Sequence, residues 1–498
     1  MQNLSGTQRM VFIELNSFAV NSRRRYAALI CTLLCLAGGV SVSADGRAPS
    51  TLVPLNSLSD FNAPTANWSI AGGFTGDPRV ESDLVPLPGQ GLLVNRPTAQ
   101  VKGHMFTAWS HADLELELDF LVPAGSNSGV YLQGRYEVQI SDTWNKPRHT
   151  SHDMGGLYER WDDSRPEGKK GYEGVTPLVE VERAPGLWQH LCIIFRAPRF
   201  DANGRKTAQA RFVRVELNGV LVHENKDVSG PTRAAGFDDE KPEGPLMLQG
   251  DHGAVAYRNF SYRKAITKNV PAAHAAEAVP VEKLRIEEGI CETAGGTRVQ
   301  AVAVGSPASV HYGYAPEGAA LLRMWRGPFL AGATVSGPAS TITPAGSTIV
   351  LGDWPVLAWL PDERAPWPDR APVEAAGPRP MMKLDQAGHP IFSFKAGPRT
   401  GSDQLSARPD RRGLTRRIVT DELDRSQKPR AGAAWLLLAE AAVITPSKAG
   451  YVIGDREYYL DLPASTDWKV IVRKTGGRCQ LMALVPEKAS TLAYDLIW

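Results

Sequence analysis

Along this chain apolar residues alternate with polar ones over short runs, and long stretches with helical periodicity are hard to find. Leu114-Glu115-Leu116-Glu117-Leu118-Asp119-Phe120 alternates strictly, which predicts a half-buried strand with an acidic outer face. Tyr136 to Ser141 repeats the pattern, with Tyr136, Val138 and Ile140 on one face and Glu137, Gln139 and Ser141 on the other. An Ala-Gly-Ser-Asn-Ser-Gly turn ending at Gly129 leads into Val130-Tyr131-Leu132, and Gly134-Arg135 breaks the chain before the next strand. Two readings of the Tyr136 strand stand side by side. Its carboxylate and amide line a sugar-binding groove, or it is an ordinary surface strand with its polar side outward.

Trp68 and Ile70 are early core candidates, and Trp188 to Phe195 and Arg211 to Leu217 predict further strands. Asn218-Gly219 tolerates the positive φ of a type I′ turn, so Arg211–Leu217 and Val220–His223 form a predicted hairpin. Gly244 to Gly253 is a strand ending in a polar, Gly-flanked loop, and Tyr257 to Tyr262 closes the first β region. Between Thr143 and Arg183 lies a long loop carrying His149, His152, Tyr158, Trp161 and Tyr172; loops of this length in compact domains often serve binding. Past an Ala/Pro/Val-rich linker, strands are predicted at Leu321–Trp325, Ile349–Leu351, Val356–Leu360, Ile391–Lys395, Val452–Gly454, Tyr458–Leu460 and Ala493–Trp498. Asp362 to Pro380 reads as an excursion loop, and Ala431–Ala442 fits either a helix or a buried strand.

A chain of 498 residues with 47 Gly and 37 Pro is too long for one core and too rich in turn residues for a helical fold. The reading is all-β: residues 1–44 a signal peptide, 50–265 a first β domain, 266–280 a linker and 281–498 a second β-rich domain. With 55 Lys and Arg against 53 Asp and Glu, nothing favours nucleic acid or an anionic membrane as main partner. Arg23-Arg24-Arg25 precedes the apolar run Tyr26–Val40, and Val42-Ser43-Ala44 has the form of a cleavage site, with Met1 or Met10 as the start. The run falls short of the roughly 20 residues a span needs, so the expectation is export to the periplasm or beyond, with no stable membrane span in the mature chain. Cys192 is expected as a buried core thiol, and Cys291 and Cys479 as candidates for a disulfide.

Several motifs occur in a telling order: Asn127-Ser128-Gly129, Tyr136–Asp142, Gly156-Leu157-Tyr158, Trp188-Gln189-His190, Leu217-Asn218-Gly219, Leu248–Gly253 and Tyr257–Phe260. Over roughly residues 52–264 this resembles the 3-keto-disaccharide hydrolase domain family. Two small departures are the additional Gly250 in Gln-Gly-Asp-His-Gly and Tyr257 in place of a more usual Phe. The resemblance implies a concanavalin-like jelly-roll β-sandwich with a sugar-binding concave face, acting on glycosides oxidised at C3. The C-terminal half resembles a β-rich domain of exported planctomycete-type proteins, through Leu321–Phe329 and the Asp455–Tyr459 strand.

A keto group at C3 acidifies the C2 hydrogen, so base removal followed by loss of the anomeric substituent and hydration amounts to hydrolysis. That chemistry needs a base, an acid and enolate stabilisation. Glu137 and His252 are the candidates for base and acid, in either order, and Arg258 for the stabilising cation; Asn127, Gln139, Tyr158 and Asp142 are candidate sugar contacts. No cofactor is evident; a divalent cation on Asp142, Asp251 and His252 is the alternative electrophile, without metal-type spacing to support it. The bland readings pair Glu137 with Arg135 or Arg258 across strands, make His252 a turn residue, make Asp142 a loop cap and place Arg258 inside the sheet as a structural residue. Trp325, Arg326 and Phe329 read as a core-and-turn motif. The competing functions are a glycoside-active enzyme, a non-catalytic carbohydrate-binding module and an adhesion or scaffold protein.

Overall fold

The computed structural model describes residues 49–144, 146, 148–264, 281–332, 340–368, 382–396, 398–424, 426, 431–463 and 468–498. The expected signal peptide, the linker and most of the 362–380 excursion lie outside these residues. Every regular element described is a strand, and residues 50–498 form one compact unit.

In the first β region, two antiparallel sheets pack face to face as a jelly-roll sandwich. One has five strands in the order Phe61–Asn62, Met105–His111, Gly244–Leu248, Asn127–Leu132, Tyr136–Ser141. The other has eight, with Leu114–Leu121 central between Gln189–Arg196 and Val255–Arg263. Alternation dictates the packing: Leu114, Leu116, Leu118 and Phe120 point inward, where they share one core with Val130, Leu132, Tyr136, Val138 and Ile140 of the facing sheet. The hairpin forms as expected, with Asn218 at φ 52° and Gly219 at φ 78° between paired Leu217 and Val220.

Residues from Arg285 onward build three further antiparallel sheets of five, four and eight strands. The ambiguous Ala431–Ala442 segment is a buried strand, Ala433–Ala441, flanked by partners on both edges. Of the Asp455–Tyr459 segment, only Tyr458 and Tyr459 belong to a strand; Arg456, at φ 57°, lies in the turn before it. Trp325 and Phe329 stack with ring centroids 5.8 Å apart, and the Trp325 indole donates to the Phe329 carbonyl at 2.6 Å.

The cysteine expectations are corrected. Cys291 and Cys479 are both free and belong to different hydrophobic clusters, each thiol facing a nearby backbone carbonyl. Cys192 lies on the outer face of its strand, opposite Glu117 and Glu216, because its neighbours Leu191 and Ile193 take the inward positions.

Three buried histidines are held neutral. Burial pushes His111, His223 and His311 down to about 4, against the weaker upward pull of a carbonyl partner at each ring. The unfolded chain therefore binds more protons than the folded one between about pH 6.5 and 4. Their contribution is present above about pH 6.5 and lost as the pH falls towards about 4. Scanning calorimetry should show the melting temperature dropping through this window, before most carboxylates titrate; a flat profile there would contradict neutral burial.

Candidate functional site

The surface-strand reading of Tyr136–Ser141 does not hold, since all six residues are buried. Its outer edge is covered by the returning loop. Gln139 N–H donates to Gly156 O at 2.8 Å, Gly155 N–H to Gln139 O at 2.9 Å, and Tyr158 N–H to Glu137 O at 3.2 Å. The bridge between Val138 and Leu157 places Tyr158 beside Glu137 on the face turned away from the core. Register does the same on the other edge, where Tyr131 opposes Glu137, Gly129 opposes Gln139 and Asn127 opposes Ser141.

Glu137 is the centre of this face and is only 1 % exposed. Burial raises its carboxyl to about 8; the Tyr131 hydroxyl opposes that shift and the charge of Asp251 adds to it. Room for the carboxyl comes from Gly129, where a methyl group would overlap Glu137 Oε1. Neither expected cross-strand ion pair forms: Arg135 binds Asp239 at 2.6 Å, and Arg258 is engaged elsewhere.

The outer face carries a row of buried polar atoms without hydrogen-bond partners. They are Asn127 Oδ1, Glu137 Oε2, Gln139 Oε1, Ser141 Oγ and Gln249 Oε1. Gln249 belongs to the row because its N–H donates to Gly129 O at 2.9 Å, continuing the ladder beyond Leu248. Sequence reasoning quoted Gln249 within a motif but did not select it, and it passed over Tyr131 as part of an apolar run.

His252 joins the site through Gln249 and Asp251. Its Nδ1 lies 2.6 Å from Asp251 Oδ1, with the Gln249 amide nitrogen 3.3 Å away, so a side chain and not the backbone holds it. His252 and Asp251 also line an open cleft of about 430 Å³ together with Thr98, Lys102 and Ser126. Glu137 is not among that cleft's lining residues. On the opposite side, His152 stacks on Tyr158 at 4.8 Å and lies 3.0 Å from Glu159. Arg233, another residue that sequence reasoning missed, sits over Trp161 at 3.8 Å with a nitrogen 3.9 Å from Glu159.

Two predicted residues fall away from this cluster. Arg258 lies in the other sheet, with its guanidinium between Asp119 and Asp455 and over the Trp188 ring at 4.1 Å. Tyr257 points inward to Ser128 Oγ at 2.9 Å, so alternation turns Arg258 outward, away from the five-stranded sheet. Asp142 caps its loop: its two oxygens accept N–H groups from Gly125 at 2.8 Å and Trp144 at 3.2 Å. Asp142 therefore does not converge with Asp251 and His252, and among the described residues no three metal-ligating side chains gather into a cation site.

Residues 57–263 match the family model of a 3-keto-alpha-glucoside-1,2-lyase-like domain. The matched stretch spans both sheets of the sandwich and agrees in extent with the resemblance read from the sequence over roughly residues 52–264. Two solved structures from Parabacteroides distasonis, each described as a candidate glycosyl hydrolase, are similar to the chain at 24 % and 20 % identity. They cover 44 % and 43 % of this chain and 85 % and 98 % of their own, with TM-scores of 0.30 and 0.27. No curated protein matches the chain.

The seat of the buried Glu137 carboxyl is testable. Gly129→Ala places a methyl group against the end of the Glu137 side chain, which must swing aside in a packed site. Overpacking of this kind costs about 1–3 kcal/mol, to be read as a lower denaturation midpoint with an unchanged m-value. Stability equal to wild type would mean the carboxyl is not seated over Gly129.

Proposed function

We propose that this chain is an exported enzyme that cleaves 3-keto-glycosides by elimination and hydration. The observation that carries this reading is the row of buried, unpartnered acceptors at Asn127, Gln139, Ser141 and Gln249 around a raised-pKa carboxyl, within residues matched to the lyase-like family. Buried polar atoms without partners are uncommon, and a polyhydroxylated ligand supplies the donors they lack. Glycoside-directed activity is the coarse statement; the 3-keto chemistry refines it.

The roles we assign rest on the buried Glu137 carboxyl and on the Asp251–His252 pair. A carboxyl with a pKa near 8 holds its proton at neutral pH, which suits Glu137 to protonate the departing glycosidic oxygen. The Asp251 carboxylate accepts the His252 Nδ1 proton, leaving Nε2 as the lone-pair nitrogen that takes the C2 proton. As the C2–H bond breaks, its electrons pass to an enolate, to which we assign the Tyr131 and Tyr158 hydroxyls on the Glu137 face as donors. The enolate then collapses to a C1–C2 double bond as the C1–O bond breaks and the leaving oxygen takes the Glu137 proton. Water adds back across that double bond with the two roles reversed. Gln139 and Asn127 hold sugar hydroxyls.

Incubating wild type with a 3-keto-glucoside should release the aglycone through a 2-hydroxyglycal. Glu137→Gln should lower kcat/KM roughly a hundred- to ten-thousand-fold for alkyl glycosides and far less for aryl glycosides, whose leaving group needs no acid. For wild type, kcat/KM should fall as the pH rises through about 8, and this limb should vanish in Glu137→Gln. Unchanged turnover in both Glu137→Gln and His252→Ala would sink the site. An inactive wild type that still binds the ketoglycoside would favour a carbohydrate-binding module.

A further inference from the structure

The long loop that covers the Glu137 strand is fastened to the C-terminal region at both of its ends. Trp144 at its start and Ala184 and Leu187 at its finish belong to the same buried cluster as Tyr312, Leu321 and Tyr459, all from beyond residue 281. The Tyr459 hydroxyl donates to Pro185 O at 2.9 Å, and Trp188 N–H donates to Arg456 O at 3.3 Å. Gly327, at φ 101°, lets the chain approach so closely that a methyl group there would press on Val181 at 2.6 Å.

Arg326 is where these contacts meet charge. Its guanidinium lies 4.5 Å from the centroid of the Trp144 ring and 3.6 Å from Glu182 Oε1. Glu182 is also 3.6 Å from His149 Nε2, while His149 N–H donates to Glu180 at 3.2 Å. One side chain from the Leu321–Phe329 motif thus touches the outgoing limb at Trp144 and, through Glu182, both the returning limb and His149. Between those fixed points run Gly156, whose carbonyl accepts the Gln139 N–H, Tyr158, whose N–H donates to the Glu137 backbone carbonyl, and His152, stacked on Tyr158.

We propose that Arg326 is a positioning residue for the Glu137 site, and that the C-terminal region serves the site by fixing this loop. The proposal rests on Glu137 being the acid of the site. With the loop in place, water is kept from the carboxyl; with the loop loosened, water reaches it and its proton is lost at lower pH.

The test uses the full chain carrying Arg326→Ala, with Arg326→Lys and Glu182→Gln as gentler variants should the first fold poorly. Hydrogen exchange followed by mass spectrometry should rise at least tenfold in peptides covering 148–162 and stay unchanged in the central strand Leu114–Leu121. The alkaline limb of kcat/KM on a 3-keto-glucoside should move down from about pH 8 by one unit or more, with Arg326→Lys intermediate. A merely destabilised protein would lose active enzyme without moving that limb. Unchanged exchange in the loop would overturn the proposal, as would faster exchange with an unmoved limb. If wild type turns over no 3-keto-glycoside, the functional reading fails by itself, and loop exchange alone decides whether Arg326 clamps it.

Discussion

A carboxyl group taken out of water at Glu137 is the constraint on which the surrounding structure depends. Glu137 Oε2 has no partner, and among the described residues no cation forms an ion pair with the carboxyl, so the cheapest state at neutral pH is the protonated one. Keeping the carboxyl out of water requires a residue without a side chain at Gly129 and a covering segment at 155–158, while the facing Tyr131 hydroxyl pulls the other way, towards the ionised form. Each of these follows from strand register: one residue of slip would send Glu137 into the core and Val138 to the outer face.

The unpartnered acceptors make the same point from the side of polarity. Folding normally satisfies buried polar atoms within the chain, as where Asn67 and Asn95 bond each other and the Gly250 carbonyl. On the outer face of the five-stranded sheet it leaves five such atoms open along adjacent strands. Their clustering along adjacent strands of one face is what the proposed groove for hydroxyl groups rests on.

Much of this was legible in the sequence. Period-two alternation found the strands at Leu114 and Tyr136 and their inward faces, and Asn218-Gly219 found its hairpin. The ordered motifs located residues that the fold brings to one face: Asn127, Glu137, Gln139 and Tyr158. Contacts between distant parts of the chain were not legible. Arg258 resembled a site cation because nothing local reveals that Asp455, nearly two hundred residues on, would claim it. Asp142 resembled a ligand because its role depends on the N–H groups of a turn on one side and a loop on the other. The burial of Glu137 was hidden for the same reason, since the segment that covers it has neither alternation nor helical period. Tyr131 was concealed by its company, an apolar run in which a tyrosine reads as core.

The buried charges at the base of the loop bear on what the C-terminal region contributes. Glu182 and His149, at 3 % and 2 % side-chain exposure, and Arg326 at 13 % leave several polar atoms unpartnered: Glu182 Oε2, Arg326 Nη1 and both ring nitrogens of His149. A cluster so incompletely satisfied is a poor source of stability, because each ion's desolvation offsets much of what its neighbours return. Apolar residues of similar size would hold the same interface at least as well, as Trp144, Ala184 and Leu187 already do beside it. What charge adds is direction. A guanidinium between an indole face and a carboxylate fixes the separation of the two limbs in a way that interchangeable methyl groups do not, and that separation sets where Tyr158 and His152 stand over the sheet.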